Sequence, residues 1–311
     1  LRRRGRRRKV ISMSNLGVLI DAPILLLQLL VSGILVGAIF ALVAYGMALV
    51  WGVMNIINIA QGEFVMLGGY VVFYLDRAGV HPVFGIPIAA AAMYVLGIGL
   101  YRTVIWRIVD RDMFTAILAT FGISILLQQL ANQLFSADIR TVPSRLPSVQ
   151  LAGGLMTVPE IKLVGFAAAL AVGAVLIAFL RYTRLGRAIR ATAQNARAAR
   201  VLGIDTGRVY ATTFAVNCAI CGAAGGLVAM TWFIQPYLGL TYTLRSFMIV
   251  IVAGLGNLPG VILAGTGLGV VEEAAGFVLG SEYQTAFIFL LLIVILVARN
   301  AMLARQRRYL K

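Results

Sequence analysis

From Ile24 to Trp51 the chain runs 28 residues without one Asp, Glu, Lys or Arg. About 20 apolar residues in an α-helix already span the hydrocarbon core of a bilayer, where a helix satisfies its own backbone hydrogen bonds and an open strand does not. A chain carrying such a run is built around a membrane. Composition extends this to the whole sequence: 61% of its 311 residues are hydrophobic, 12% are charged, and mean hydropathy is +0.94. Soluble domains carry about twice that share of charge.

The formal charge of +16 could suit a nucleic-acid binder, but seven basic residues fall in LRRRGRRRK and most others flank apolar runs. The tendency of basic loops to stay in the cytoplasm accounts for them, and no nucleic acid is expected as a partner. Residues 1–23 form a basic arm, which Met13 marks as a candidate upstream extension of the reading frame. The first apolar stretch is too long for a cleavable signal. Cys218 and Cys221 have redox-like CxxC spacing, but they lie inside an apolar segment with His81, the one histidine, far off in a turn. Their expected role is packing, with no disulfide framework and no metal site.

Read in order, the chain is an all-α polytopic membrane protein of about eight or nine transmembrane segments, some of them broken or re-entrant. Ile24–Trp51 is the first span. Gly52–Tyr70, GVMNIINIAQGEFVMLGGY, sets Asn55, Asn58, Gln61 and Glu63 among glycines in apolar sequence, the pattern of a broken helix whose freed backbone faces protein or water. These four are candidate residues of a translocation pathway; the competing reading has them bonding only to backbone at the break. Spans follow over 83–101 and 113–135. Ser136–Lys162, with three prolines and Gly153-Gly154, reads as an irregular external segment with a short interfacial helix. Further spans cover 163–180 and 209–233, and Gln235–Thr243 turns outside the membrane. Leu244–Leu279 reads as apolar and divided at Gly254, Gly256, Asn257 and Pro259, whose turn can place a helix end near a solute. Its second half, rich in glycine, suits close helix packing, as does the Gly33/Gly37 pair. Glu272 either lines the pathway or sits among outer headgroups with Glu273. A last span, 284–298, leads to a basic tail, 299–311.

Between two spans lies a polar island, Arg181–Arg208, with seven arginines, one acid (Asp205) and abundant alanine. Its composition favours a helix, and its position makes it a docking site; the plainer reading is a solvated basic loop. Basic loops fix both island and tail in the cytoplasm, and the four segments between them agree. Five segments precede the island, which puts the N-terminus outside, against its basic arm. Either the arm is not native or 24–75 crosses an odd number of times.

Three stretches in this order, GVMNIINIAQGEFVMLGGY, RLGRAIRATAQNARAARVLGID and VAGLGNLPGVILAGTGLGVVE, resemble the LivH-type permease of branched-chain amino acid ABC importers. The resemblance covers about Leu30 to Ala298. It implies a permease domain over 24–298 in the bacterial inner membrane, working by alternating access, and makes the island a coupling loop. Arg190, Ala191, Ala193, Asn195, Arg197, Arg200, Leu202 and Gly203 are then the ATPase-coupling residues, with one helix over Ala191–Leu202 and Gly203 as its stop. Ala193-Gln194-Asn195 departs from the family pattern, in which an acid is often found there. No GxxxxGK[ST] loop is present, so the chain cannot hydrolyse ATP alone, and no cofactor is expected in it. ATP and Mg are expected in two cytoplasmic ATPase subunits, alongside a second, LivM-type permease and a periplasmic binding protein contacting 136–162 and 235–243. Urea, short amides and small aromatic acids are alternative substrates within the family. A secondary transporter or channel would show ion-coupling carboxylates at mid-span, and a membrane enzyme would need a nucleophile, metal ligands or paired acids at one depth.

Overall fold

A computed structural model describes residues 23–151, 156–254, 256–280 and 283–308. The basic arm before Pro23 and the Gly153-Gly154 pair lie outside them. Among the described residues eleven α-helices run in order: α1 (Pro23–Met54), α2 (Gln61–Arg77), α3 (Pro82–Thr103), α4 (Met113–Phe135), α5 (Glu160–Tyr182), α6 (Arg184–Gln194), α7 (Ala196–Val201), α8 (Thr206–Thr231), α9 (Gly239–Ala253), α10 (Leu258–Leu279) and α11 (Gln284–Arg308). A two-stranded antiparallel sheet, β1 (Ser148–Leu151) and β2 (Met156–Pro159), precedes α5, with Val149 opposite Val158. The protein is an all-α polytopic membrane protein. Among the described residues, six helices are long and apolar enough to cross a bilayer (α1, α3, α4, α5, α8 and α10), and α9 and the apolar part of α11 are shorter.

Helix α8 is innermost, with buried residues on every face, as a helix apolar all round must be. Around it the directions follow from close approaches. Gly165 and Gly173 of α5 meet Ile39 and Tyr45 of α1, so these two run parallel. Gly33 and Gly37 of α1 meet Gly269 and Gly265 of α10, so that pair is antiparallel. A Cβ at Gly37 would overlap the Gly265 carbonyl, and small residues alone permit so close a seam. Aromatic contacts between Phe40 and Tyr242 and between Trp51 and Phe247 set α9 parallel to α1.

The molecule therefore has an island face, where α1 and α5 end, and an opposite, hairpin face. Lys162 Nζ donates to Ser32 Oγ at 3.0 Å, and Arg145 pairs with Asp76, so the start of α1 and the end of α2 lie on the hairpin face. The chain from α1 through α2 thus returns to the side it left. Of the two parity options, an odd number of crossings over 24–75 is set aside.

Four expectations change in detail. Ser136–Lys162 holds a β-hairpin where an interfacial helix was expected, and Lys162 already belongs to α5. Alternating Val149, Leu151 and Val158 favour strands over a helix. The helix break narrows to Asn55–Ala60, leaving Gln61 and Glu63 inside α2. The expected turn 235–243 ends at Leu238; Thr243 is a buried residue of α9. The island is two helices, α6 and α7, where one over Ala191–Leu202 was expected.

Candidate functional site

Helix α1 ends at Met54, and the next residue, Asn55, has a φ of 53°, a left-handed value that asparagine tolerates. Asn55 is exposed on the island face, apart from its three polar neighbours in sequence. Six residues then climb back into the molecule. Gln61 Nε2 donates to the Val43 carbonyl at 3.1 Å, and Val43 lies 11 residues before Met54, roughly 16 Å along the helix. Helix α2 consequently starts near mid-depth.

A helix that begins inside a membrane leaves its first N–H groups without water. Here neighbouring side chains take them. Gly62 N donates to Thr243 Oγ1 at 2.9 Å, Ala60 N to Asn58 Oδ1 at 3.1 Å, and Ile59 N to Thr120 Oγ1 at 3.2 Å. Thr243 and Thr120 return their hydroxyl protons towards the Ile59 and Ile57 carbonyls. The break is thus latched to α9 and α4. Gln61 reaches Asn217 Oδ1 at 2.9 Å and Cys221 Sγ at 3.0 Å on α8. Glu63, 0% exposed, accepts from Ser124 Oγ at 3.0 Å through one oxygen, while its other oxygen has no partner among the described residues. As a first-turn acid it complements the positive end of α2.

A second polar group lies nearer the hairpin face. Arg245 of α9 holds Glu272 of α10 through two nitrogens, Nε to Oε2 at 3.1 Å and Nη2 to Oε1. Glu272 is 3% exposed and held in a buried ion pair. The guanidinium lies 4.7 Å from the Phe40 ring centre and 5.5 Å from that of Tyr242. Phe40 in turn stacks on Trp232 at 5.8 Å. These residues, with Glu273, wall a cavity of about 400 Å³. Glu273 accepts from Ser32 at 3.4 Å, the same hydroxyl that Lys162 bonds.

Gly254, Gly256, Asn257 and Pro259 are brought to neither group. They form the turn from α9 to α10 at the island-face end, where the Gly256 backbone is what a Cβ at Gly52 would meet, at 3.9 Å. Gly254 and Gly256 have positive φ, Asn257 caps α10 by accepting from Gly260 N at 3.1 Å, and Pro259 occupies its first turn.

On the island, Asn195 ends α6 and caps α7, accepting from Ala198 N at 3.0 Å. Gly203, at φ 82°, closes α7: its N–H reaches the Arg200 carbonyl and Ile204 N reaches the Ala199 carbonyl, the paired bonds of a Schellman stop. The expected stop at Gly203 is present. Arg200 is committed to both oxygens of Asp110, in an exposed pair, and to Thr206 Oγ1 at 2.8 Å. Arg190 Nη2 similarly reaches the Arg181 carbonyl. Ala191 is half-buried, while Ala193, Arg197, Val201 and Leu202 are exposed, the last two at 87% and 80%.

Residue-by-residue reading missed Arg245 and its aromatic wall, and Thr120, Ser124, Asn217 and Thr243 around the break. Arg245 carried a signal, as the one charge in the apolar run of α9. The hydroxyl residues carried none, because Ser and Thr are ordinary in spans.

The family model described as "Branched-chain amino acid transport system / permease component" matches residues 29–296. The chain is 31% identical over 288 residues to the high-affinity branched-chain amino acid transport system permease protein LivH of Escherichia coli (strain K12), covering 87% of this chain and 92% of that protein. Against the corresponding BraD of Pseudomonas aeruginosa it is 30% identical over 287 residues, covering 88% and 94%. The probable branched-chain amino acid transport permease protein LivH of Methanocaldococcus jannaschii is 25% identical over 267 residues, 84% of each. No solved structure matches.

Proposed function

From the membership of this chain in the branched-chain amino acid transport system permease family, we propose a membrane-spanning subunit of an ATP-driven importer for branched-chain amino acids. It works with a second permease of LivM type, two ATPase subunits that bind ATP and Mg, and a periplasmic binding protein. The island and the C-terminal tail face the cytoplasm of a bacterial inner membrane, and the hairpin faces the periplasm, where the binding protein docks.

The observation that carries this reading is the island. Two short helices, stopped by Gly203 and tied by Arg200 to Asp110, present Val201 and Leu202 at the junction of α5 and α8. Exposed aliphatic side chains ringed by arginine suit a protein groove better than water. Because the island is continuous with α5 and α8, movement of a bound ATPase reaches the core directly. Asn58, Gln61 and Glu63, at the mid-depth break, and Glu272 belong to the pathway side of the subunit; Asn55 and the Gly254–Pro259 turn sit at its cytoplasmic end.

Purification of a tagged chain from its own host, with mass spectrometry of its companions, tests the assembly. ATPase subunits and a second permease are expected to co-purify, and Arg197→Glu or Gly203→Pro to lose the ATPases. A chain that purifies alone and transports in liposomes without ATP would instead be a secondary transporter.

A further inference from the structure

We infer that the cavity between α1, α9, α10 and the segment joining α8 to α9 is a transit site that holds a neutral, zwitterionic amino acid by both its charges and its apolar side chain. The inference rests on the importer reading above and adds to it a place and the groups that hold the solute there. At about 400 Å³ the cavity falls within the usual range of small-molecule pockets, about 300–1,000 Å³.

Its charges come in balanced pairs. Arg245 faces Glu272, and Glu273 is linked through Ser32 to Lys162. Arg245, Glu272 and Glu273 line the cavity and Lys162 stands behind Ser32, so only with Lys162 counted do the two cations and two anions balance. A ligand of net charge would enter uncompensated, which is costly away from water. A zwitterion brings one charge of each sign and keeps the balance.

Each end of such a ligand has a partner with capacity to spare. Glu272 occupies Nε and Nη2 of Arg245, and among the described residues no acceptor is bound to Nη1. A guanidinium has five N–H donors in a planar fork, so the remaining ones can take an incoming carboxylate. Glu273 uses Oε1 towards Ser32, and its Oε2 has no bond among the described residues, open to an ammonium group. Between them stand Phe40, Trp232 and Tyr242, stacked or edge-on to one another, a rigid apolar surface for an aliphatic side chain. Urea and short amides would use neither the charge separation nor the rings.

Trp232 provides the measurement. In the full-length chain in detergent, Trp51→Phe and Trp106→Phe leave Trp232 as the sole tryptophan. L-Leucine is titrated against its fluorescence, with L-glutamate, L-lysine and urea in parallel. Leucine is expected to shift the emission saturably, and the other three not to. Glu273→Gln should weaken the leucine response about tenfold, the loss of one charge-assisted hydrogen bond. Arg245→Gln alone strands the buried Glu272, so it is made together with Glu272→Gln, and this pair should abolish the response.

The assembled importer is assayed for leucine uptake alongside. Uptake without any fluorescence response, or a response unchanged in Glu273→Gln, overturns the transit site and leaves the importer standing. A response to urea in place of leucine, together with urea uptake, overturns the ligand class as well as the amino acid reading. A leucine response in a chain that assembles with no ATPase supports the site and removes the importer.

Discussion

Gly62 enters α2 against the backbone of α9, so close that a Cβ there would lie inside the Gly239 carbonyl oxygen. The contact is backbone to backbone, and no rotamer change relieves it. Gly62→Ala is expected to destabilise the fold by about 1–3 kcal/mol, the usual cost of overpacking. Cys218 and Cys221 are buried and free, so thermal exposure to a thiol-reactive dye reports unfolding; an unchanged midpoint would contradict the seam. Ser124→Ala makes a second case, because it removes the one hydrogen bond that the described residues give the buried Glu63 carboxylate. A loss of about 1–3 kcal/mol is expected from the stranded group. Glu63→Gln in the same background should recover part of the midpoint, since an amide costs less to bury than a carboxylate. Sequence alone singled out Gln61 and Glu63, since polar residues between glycines in an apolar run are conspicuous. It passed over their partners Ser124 and Asn217, which lie 61 and 156 residues away and meet them only through folding.

At the scale of elements, boundaries set by strong local chemistry were readable. Met113–Phe135 has its expected limits because Asp112, its N-cap, accepts from Thr115 N and apolar sequence ends at Ser136. Gly203 stops α7 as its sequence suggests. The split at Asn195 was hidden: alanine and arginine on both sides favour one helix, and the cap that divides it shows only in the turn of the backbone. That split has a consequence for coupling. Asn195→Ala removes the cap of α7, costing about 0.5–2 kcal/mol locally, and Gly203→Ala forces alanine into a left-handed conformation at about 1–2 kcal/mol. Both changes sit in exposed turns, so the bundle should keep its midpoint in the thiol assay. ATPase recovery on purification should fall in each, and fall furthest in the double variant. Full recovery in the double variant would show that α7 need not be ordered for docking.

For the whole molecule, the decisive property is the side on which each turn lies. Apolar runs could be counted in sequence, but a run that crosses and one that enters and returns have the same composition. The answer lies in contacts between distant residues: Lys162 with Ser32, Arg145 with Asp76, and Val43 with Gln61 at mid-depth. Together they set Ala78 and Gln150 on one face and Arg111 and Arg197 on the other. Single-cysteine labelling with a membrane-impermeant maleimide reads this directly, and the two native thiols, both 0% exposed, give no background. In spheroplasts Ala78→Cys and Gln150→Cys should label while Arg111→Cys and Arg197→Cys stay protected, and inverted vesicles should reverse the pattern. Ala78→Cys is the discriminating position. If it labels with Arg197→Cys, α2 does not climb from mid-depth to the hairpin face, and the latched break cannot face a solute path. If it labels with Gln150→Cys, the break enters from the island face and α2 leaves by the other. That geometry gives the hydrogen-bonded start of α2 a position from which a shift in the core can alter access from either side.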